Sequence, residues 1–157
     1  MGISLARRFG ITVTLISGEN SLLVDRLAAK MGIVDFTKGC KDKALAVRAF
    51  SERHALALSE ICFMGDDIND IGAMELVGLA AAPSDARPAV LKRAAFNAKN
   101  KGGNGAVREL IDALMALETS PLLTLRDTET KELEQSLLQV GDLGESHAVS
   151  WLSSGDG

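Results

Sequence analysis

The fold class follows from one stretch of the chain, Ile61-Cys-Phe-Met-Gly-Asp-Asp-Ile-Asn-Asp70. Its first four residues are apolar and predict a short buried strand, and the acidic part that follows opens a helical pattern. In an open α/β sheet, ligands bind at the carboxyl ends of the strands. Three carboxylates and an amide at such a position suit Mg²⁺. Acidic residues also favour helix N-termini. A cap needs only one or two of them, so we interpret the three aspartates as functional.

Short apolar runs alternate with helical patterns on both sides of this stretch. This alternation predicts an α/β protein with a mostly parallel sheet. Strands are predicted at 11–16, 33–36, 61–64, 79–82 and 95–98, and helices at 21–31, 42–58, 68–77, 84–93 and 106–117. The composition changes after Glu118. We therefore predict a domain at 1–118 and an extension at 119–157, with a helix at 127–140 and a weakly ordered tail at 141–157.

Composition and charge narrow the class of protein. The chain has 157 residues, of which 46% are hydrophobic and 24% charged, as expected of a globular protein with a buried core. The net charge of −4 argues against a general nucleic-acid binder. Neither a membrane span nor a signal peptide is predicted. The two cysteines, Cys40 and Cys62, fit no disulfide framework or metal spacing, so we expect free thiols and a cytoplasmic protein.

Two further polar positions lie where a phosphate could bind. Ser17-Gly18 follows the predicted strand at 11–16, and a hydroxyl with backbone N–H groups can hold a phosphate oxygen. Lys43 opens the next long helix and could neutralise phosphoryl oxygens. Each position alone has an ordinary interpretation, a turn for Ser17-Gly18 and a solvated surface residue for Lys43. Together with the aspartates they indicate a phosphoryl site.

The order of these features resembles the haloacid dehalogenase (HAD) superfamily of phosphohydrolases. Similarity to its small, cap-less branch extends to Gly39-Cys-Lys-Asp-Lys-Ala44, Val77-Gly-Leu-Ala80 with Pro83, and Lys101-Gly-Gly-Asn-Gly-Ala-Val-Arg-Glu109. That branch holds the 3-deoxy-octulosonate 8-phosphate phosphatases, the sialic-type 9-phosphate phosphatases and the C-terminal domain of some acylneuraminate cytidylyltransferases. The resemblance covers residues 2–118. It implies a Rossmann-like α/β fold, with a mostly parallel sheet flanked by helices, and a homotetramer.

The resemblance also implies roles for the matching residues. Ser17 would hydrogen-bond the transferring phosphoryl group, and Lys43 would balance its charge. Asp66 would bind Mg²⁺ directly, with Asp67 and Asp70 supporting the catalytic site. The residues expected to bind the substrate are Gly18, Glu19, Lys30, Asn69, Gly103 and Arg108.

Substrate choice depends on the residue that follows Ser17-Gly18. The octulosonate branch usually has an Arg there, whereas this chain has Glu19, with Lys30 eleven residues later. That pair resembles the branch acting on nine-carbon substrates. An ordinary solvated Glu and Lys on a helix is equally consistent with the sequence.

The family's first motif, Asp-x-Asp-Gly, does not precede Ser17. In the family it supplies the nucleophile and the general acid/base, and it lies on a central strand. We therefore expect the N-terminal strand and the flap hairpin to be missing, which would leave 11–16 and 61–64 without the strand that separates them. Three explanations stay open: a fragment or misassigned start, a relative kept for binding or assembly, or a substitute carboxylate.

Two functions from different classes follow. The first is a Mg²⁺-dependent phosphomonoesterase acting on a phosphorylated 2-keto-3-deoxy sugar acid, with the nine-carbon 9-phosphate favoured and this chain alone inactive. The alternative is a non-catalytic assembly or regulatory domain associated with sialic acid activation. A response-regulator receiver also uses clustered Asp, Ser/Thr and Lys residues. The order of Ser17, Lys43 and the aspartates disfavours it.

Overall fold

The computed structural model describes residues 2–118 and 148–151. Within these ranges the elements are α1 (Gly2–Arg8), β1 (Thr12–Ile16), α2 (Leu22–Met31), β2 (Phe36–Thr37), α3 (Lys43–His54), β3 (Ile61–Met64), α4 (Ile71–Met74), β4 (Leu79–Ala82), α5 (Pro88–Leu91), β5 (Phe96–Asn97), α6 (Ala106–Glu118) and β6 (Ala148–Trp151). Among these helices, none combines the length and the apolar character that crossing a membrane requires.

The strands form one sheet in the order β2-β1-β6-β3-β4-β5, and every neighbouring pair is parallel. Helices cover both faces of this sheet. The helices α1, α2 and α6 pack on one face and α3, α4 and α5 on the other. Alternate strand residues supply the two cores: Cys62 and Met64 face the first set of helices, and Ile61 and Phe63 face the second. The predicted α/β fold with a parallel sheet is confirmed.

Local signals explain where the longer helices begin and end. Asp42 caps α3, because its side chain accepts a hydrogen bond from the Leu45 N–H at 3.0 Å. Gly32 ends α2 in the left-handed region, with φ 66°. Ala55 does the same for α3 with φ 52°, so the helix predicted at 42–58 stops at His54.

Two predicted helices are much shorter than expected. The segment 68–77 forms a 3-10 turn at Ile68–Asp70 and then a single turn, α4, because the first residues build the turn after β3. The segment 84–93 contributes only α5, which has Pro88 at its first turn. Ser84 lies before that helix and outside it, and its N–H donates to the Asn100 carbonyl at 3.0 Å.

β6 occupies the centre of the sheet. Its four residues pair in parallel register with β1 on one side and β3 on the other. The expectation that these two strands lack a neighbour between them is therefore wrong, because a strand from the C-terminal extension lies there. The sequence did not predict this strand. The helix predicted at 127–140 falls outside the described residues.

Gly78 provides a test of the packing between the turn before β4 and the turn before β3. A Cβ atom at this position would clash with the backbone carbonyl of Ser59, whereas one at Gly72 in α4 would lie 3.8 Å from Ala44 Cβ. We expect Gly78→Ala to lower the free energy of unfolding by about 1–3 kcal/mol. Gly72→Ala, the matched control, should leave it unchanged or raise it by up to about 1 kcal/mol. Urea denaturation measures both, and equal stability of the two variants would contradict this packing.

Candidate active site

Ser17, Lys43 and the Asp66–Asp70 segment lie at one edge of the sheet. Ser17 directly follows β1, the aspartates follow β3, and Lys43 begins α3. β1 and β3 are both parallel to the strand between them, so their carboxyl ends share an edge. The structure thus brings together the three features from which the sequence predicted a phosphoryl site.

Lys43 is buried rather than solvated. The residue is 2% exposed and Asp70 is 0% exposed, and the Lys43 ammonium lies 2.5 Å from Asp70 Oδ1. The same ammonium donates to Asn69 Oδ1 at 3.4 Å. Removing two charges from water costs several kcal/mol per ion, which only close pairing and further hydrogen bonds offset. The ordinary interpretation of this lysine as a surface residue is therefore excluded.

Asp70 also shapes the turn after β3. Its second oxygen, Oδ2, accepts hydrogen bonds from the N–H groups of Asp66 at 2.9 Å and Asp67 at 3.0 Å. The carboxylate folds back so closely that a Cβ atom on Gly65 would lie 2.5 Å from Asp70 Cβ. Glycine is therefore required at position 65. Both oxygens of Asp70 are engaged within the protein, so this residue positions the site rather than binding a metal directly.

Asp66 and Asp67 are the carboxylates best placed to hold a cation. Asp66 Oδ1 is buried, and the Asp66 carbonyl accepts from the Arg87 N–H at 2.9 Å. Asp67 Oδ1 accepts from the Ile68 N–H at 2.7 Å and lies 3.6 Å from Arg87 Nε. Across 2–118 and 148–151, no group of three or more His, Cys, Asp or Glu residues forms a complete metal site. Two neighbouring carboxylates fit a hard cation such as Mg²⁺, which keeps several waters and takes substrate oxygens.

The loop after β1 holds Ser17 rigidly. Ser17 is 0% exposed; its N–H donates to the Thr37 carbonyl at 2.8 Å, and its own carbonyl accepts from the Cys40 N–H at 2.9 Å. Ser17 Oγ accepts from the Glu19 N–H at 3.1 Å, so its hydroxyl proton can point to a ligand. Glu19 is half-buried in the same loop, where its carboxylate accepts from the Ser21 hydroxyl at 3.2 Å. Gly18 lies exposed between Ser17 and Glu19.

The predicted substrate-binding residues fall into two groups. Gly18, Glu19 and Asn69 lie in the loops that carry Ser17 and Asp70. Lys30, Gly103 and Arg108 instead line a cavity of about 370 Å³ that is bounded by residues of α1, α2 and α6. Glu19 precedes α2 and Lys30 lies near its end, so the ten-residue helix, about 15 Å long, separates the two members of the proposed substrate pair.

Two carboxylates hold the start of the glycine-rich loop that precedes α6. The Glu109 carboxylate accepts from the N–H groups of Lys99 and Asn100 at 3.0 Å each, and Gly102 N–H donates to Asp85 Oδ1 at 2.8 Å. The backbone hydrogen bonds from Lys99 and Asn100 lower the pKa of Glu109. Sequence reasoning identified neither carboxylate. The available signal was an acidic residue in the first turn of a helix.

Neither cysteine lies in surroundings that favour its thiolate, the nucleophilic form. Burial raises the pKa of the Cys62 thiol to about 12, and its side chain belongs to the core. Cys40 Sγ donates to the Asp42 carbonyl at 3.0 Å, and burial raises the pKa of this thiol as well.

Removing one partner of the buried ion pair should destabilise the protein far more than breaking a surface ion pair. We expect Asp70→Asn to lower the free energy of unfolding by about 3–5 kcal/mol, because it leaves the Lys43 charge buried and unpaired. The matched control is Asp25→Asn, which breaks a partly exposed ion pair with Lys38 at 2.7 Å and should cost no more than about 1 kcal/mol. Chemical denaturation at pH 7 compares them. Similar losses in the two variants would contradict the structural role of Asp70.

Comparisons with known proteins agree with this geometry. Residues 12–110 match the model of the haloacid dehalogenase-like hydrolase family. The 3-deoxy-D-manno-octulosonate 8-phosphate phosphatase of Salmonella typhi is 38% identical over 114 residues, which are 73% of this chain and 61% of that protein. The chain thus spans less than two thirds of that relative's length.

Solved structures show the same relationship. The phosphatase of the same name from Yersinia pestis is 34% identical, with a TM-score of 0.70 over 74% of this chain and 62% of that one. The Moraxella catarrhalis enzyme, in complex with magnesium, phosphate and KDO, is 27% identical with a TM-score of 0.68 over 75% of this chain and 74% of that one. With the family model covering most of the chain, this protein belongs to the haloacid dehalogenase-like hydrolases.

Proposed function

We propose that this chain carries the phosphoryl site of a Mg²⁺-dependent phosphomonoesterase. The observation that carries the proposal is the buried Lys43–Asp70 pair beside Asp66 and Ser17 at the carboxyl edge of the sheet. Replacing a buried ion pair with apolar residues is often neutral or stabilising, so a purely structural domain has little reason to keep one. Stabilising the charge of a phosphoryl group is a reason to keep it.

Each residue has a distinct task in this mechanism. The Lys43 ammonium, fixed by Asp70, places positive charge where phosphoryl oxygens would bind, and Ser17 donates its hydroxyl proton to one of them. Asp66 and Asp67 would hold Mg²⁺, which when bound polarises the phosphoryl oxygens. Positioning and charge neutralisation account for most of catalysis in phosphoryl transfer, and these five residues would supply both.

The nucleophile is the part that this chain does not supply upstream of Ser17. No Asp-x-Asp stands there, and after β3 the carboxylates of Asp67 and Asp70 already accept hydrogen bonds from backbone N–H groups of the turn. We therefore expect the chain alone to bind the cation and phosphate without turnover. A carboxylate from elsewhere would have to attack phosphorus and displace the sugar hydroxyl, and water would then hydrolyse the acyl phosphate to inorganic phosphate and the free carboxylate.

The relatives support a sugar-acid phosphate as substrate. The Salmonella typhi protein is named for an eight-carbon 8-phosphate, and the Moraxella catarrhalis structure contains KDO. Within this class we favour a nine-carbon, sialic-type 9-phosphate because of Glu19. Its carboxylate lies two residues from Ser17, whereas Lys30 lines the distant cavity. The preference therefore rests on Glu19 alone.

A non-catalytic assembly or regulatory domain is the second candidate. The absence of an Asp-x-Asp motif before Ser17 favours it. The two candidates differ in what the site binds. A phosphoryl site binds Mg²⁺ and phosphate at the sheet edge, and an assembly domain needs neither ligand.

Asp66 tests the metal assignment. We expect Asp66→Asn to weaken Mg²⁺ binding at least tenfold in isothermal titration calorimetry, because a charged oxygen ligand is lost. The control Asp112→Asn makes the same change in charge at an exposed carboxylate on α6 and should keep the wild-type affinity. If the wild-type chain itself fails to bind Mg²⁺ in the presence of phosphate, the assembly function is favoured instead.

Glu19 tests the substrate preference. We expect Glu19→Arg to reduce the ratio of affinities for a nine-carbon 9-phosphate over an eight-carbon 8-phosphate by about tenfold, the effect of one changed charged contact. Calorimetry with both sugar acids and Mg²⁺ gives this ratio without requiring turnover. Glu52→Arg, an exposed position on α3, is the matched control. An unchanged ratio in Glu19→Arg would remove the reason for favouring nine carbons.

A further inference from the structure

The centre of the sheet is a slot between β1 and β3. These two strands do not pair with each other in the register that the structure shows: Val13 and Cys62 both pair with Val149, and Leu15 and Met64 both pair with Trp151. Strands in a sheet are about 4.8 Å apart, so β1 and β3 stand about 10 Å from each other. Among the described residues, β6 alone joins the β2-β1 section to the β3-β4-β5 section.

This slot has to be filled by a strand. The last four residues of β1 and all four of β3 are buried. Helices cover both faces of the sheet. Without a strand between them, the inward N–H and C=O groups of β1 and β3 would be buried without hydrogen-bond partners, which costs free energy at each group.

The strand that fills the slot is distant in sequence. Helical connections lead from β1 to β2 and from β3 through β4 to β5, whereas β6 follows α6 after the segment 119–147. Residues 148–151 suit the slot, because the segment Ala-Val-Ser-Trp has a β-branched and an aromatic residue and no proline.

We propose that the slot between β1 and β3 is a strand-binding site whose occupant is the segment Ala148–Trp151. Because the pairing depends on backbone hydrogen bonds, the slot accepts this segment as a separate peptide as well as in the intact chain. Occupancy also sets the spacing of the active site. Ser17 follows one section of the sheet and Asp66 the other, and β6 is the only described strand that pairs with both sections.

The first experiment disables the strand in the full-length chain. Val149→Pro removes a backbone N–H in the middle of a strand that is paired on both sides. Val149→Ile is the matched control, because it keeps the backbone and β-branching. By hydrogen exchange, amides of β1 and β3 should exchange at least tenfold faster in Val149→Pro than in Val149→Ile. Equal protection in the two variants overturns the proposal.

The second experiment supplies the strand as a peptide. Trp151 is the only tryptophan of the chain, so the double variant Val149→Pro/Trp151→Phe has none. A synthetic peptide of residues 144–157 should then show a rise in tryptophan fluorescence anisotropy on binding, with saturation at one peptide per chain. The peptide should also slow amide hydrogen exchange in β1 and β3 toward the rates seen in Val149→Ile. A scrambled peptide should do neither, and binding of both peptides or of neither overturns the strand-binding site.

Wild-type protein provides a check that no folding defect can obscure. Nuclear Overhauser contacts should connect the backbone protons of 148–151 with those of both 12–15 and 61–64. Direct contacts between 12–15 and 61–64 would show that the slot is closed and the proposal wrong. These measurements do not involve phosphatase activity or Mg²⁺, so their outcome does not depend on whether the proposed function is correct.

Discussion

The buried contact between Lys43 and Asp70 is the interaction on which the rest of this site depends. One oxygen of Asp70 neutralises the lysine, and the other fixes the N–H groups of Asp66 and Asp67. These contacts fold the Asp70 side chain back over the turn after β3, which requires glycine at position 65. The pair also ties the start of α3 to this turn. Such a contact contributes less to stability than to the placement of charges, since an apolar substitute of similar volume often does as well energetically.

The site is built across the point where the strand order of the sheet reverses. From β1 the chain moves outward to β2, and from β3 it moves outward in the other direction to β4 and β5. Ligands of open α/β sheets bind at such reversal points. In this protein the strand at the reversal point comes from the C-terminal extension. The distance between the serine half and the aspartate half of the site thus depends on residues far away in the sequence.

Local signals made much of the fold predictable. The apolar runs at 11–16, 61–64 and 79–82 became β1, β3 and β4, and glycine or aspartate caps marked the ends of α2 and α3. β6 was not predictable, because Ala148–Trp151 is short and its position depends on pairing with two distant strands. The burial of Lys43 was equally hidden, since a lysine at a helix start is usually solvated and only the fold brings Asp70 against it. The prediction of a helix at 68–77 was wrong, because Asp67 and Asp70 cap a short turn at the start of that segment.

The separation of Glu19 from Lys30 limits how this site can recognise a substrate. The two residues were paired because they resemble the family branch that acts on nine-carbon substrates, yet α2 lies between them and Lys30 lines the cavity bounded by α1, α2 and α6. Under the proposed function, Ser17, Lys43 and the aspartates would contact the phosphoryl group, which every candidate sugar acid carries, so they would not discriminate between substrates. Discrimination must come from side chains beside the phosphoryl position. We propose Glu19 for this role, because the loop after β1 fixes it two residues from Ser17: the Gly39 N–H donates to its carbonyl and the Ser21 hydroxyl donates to its carboxylate.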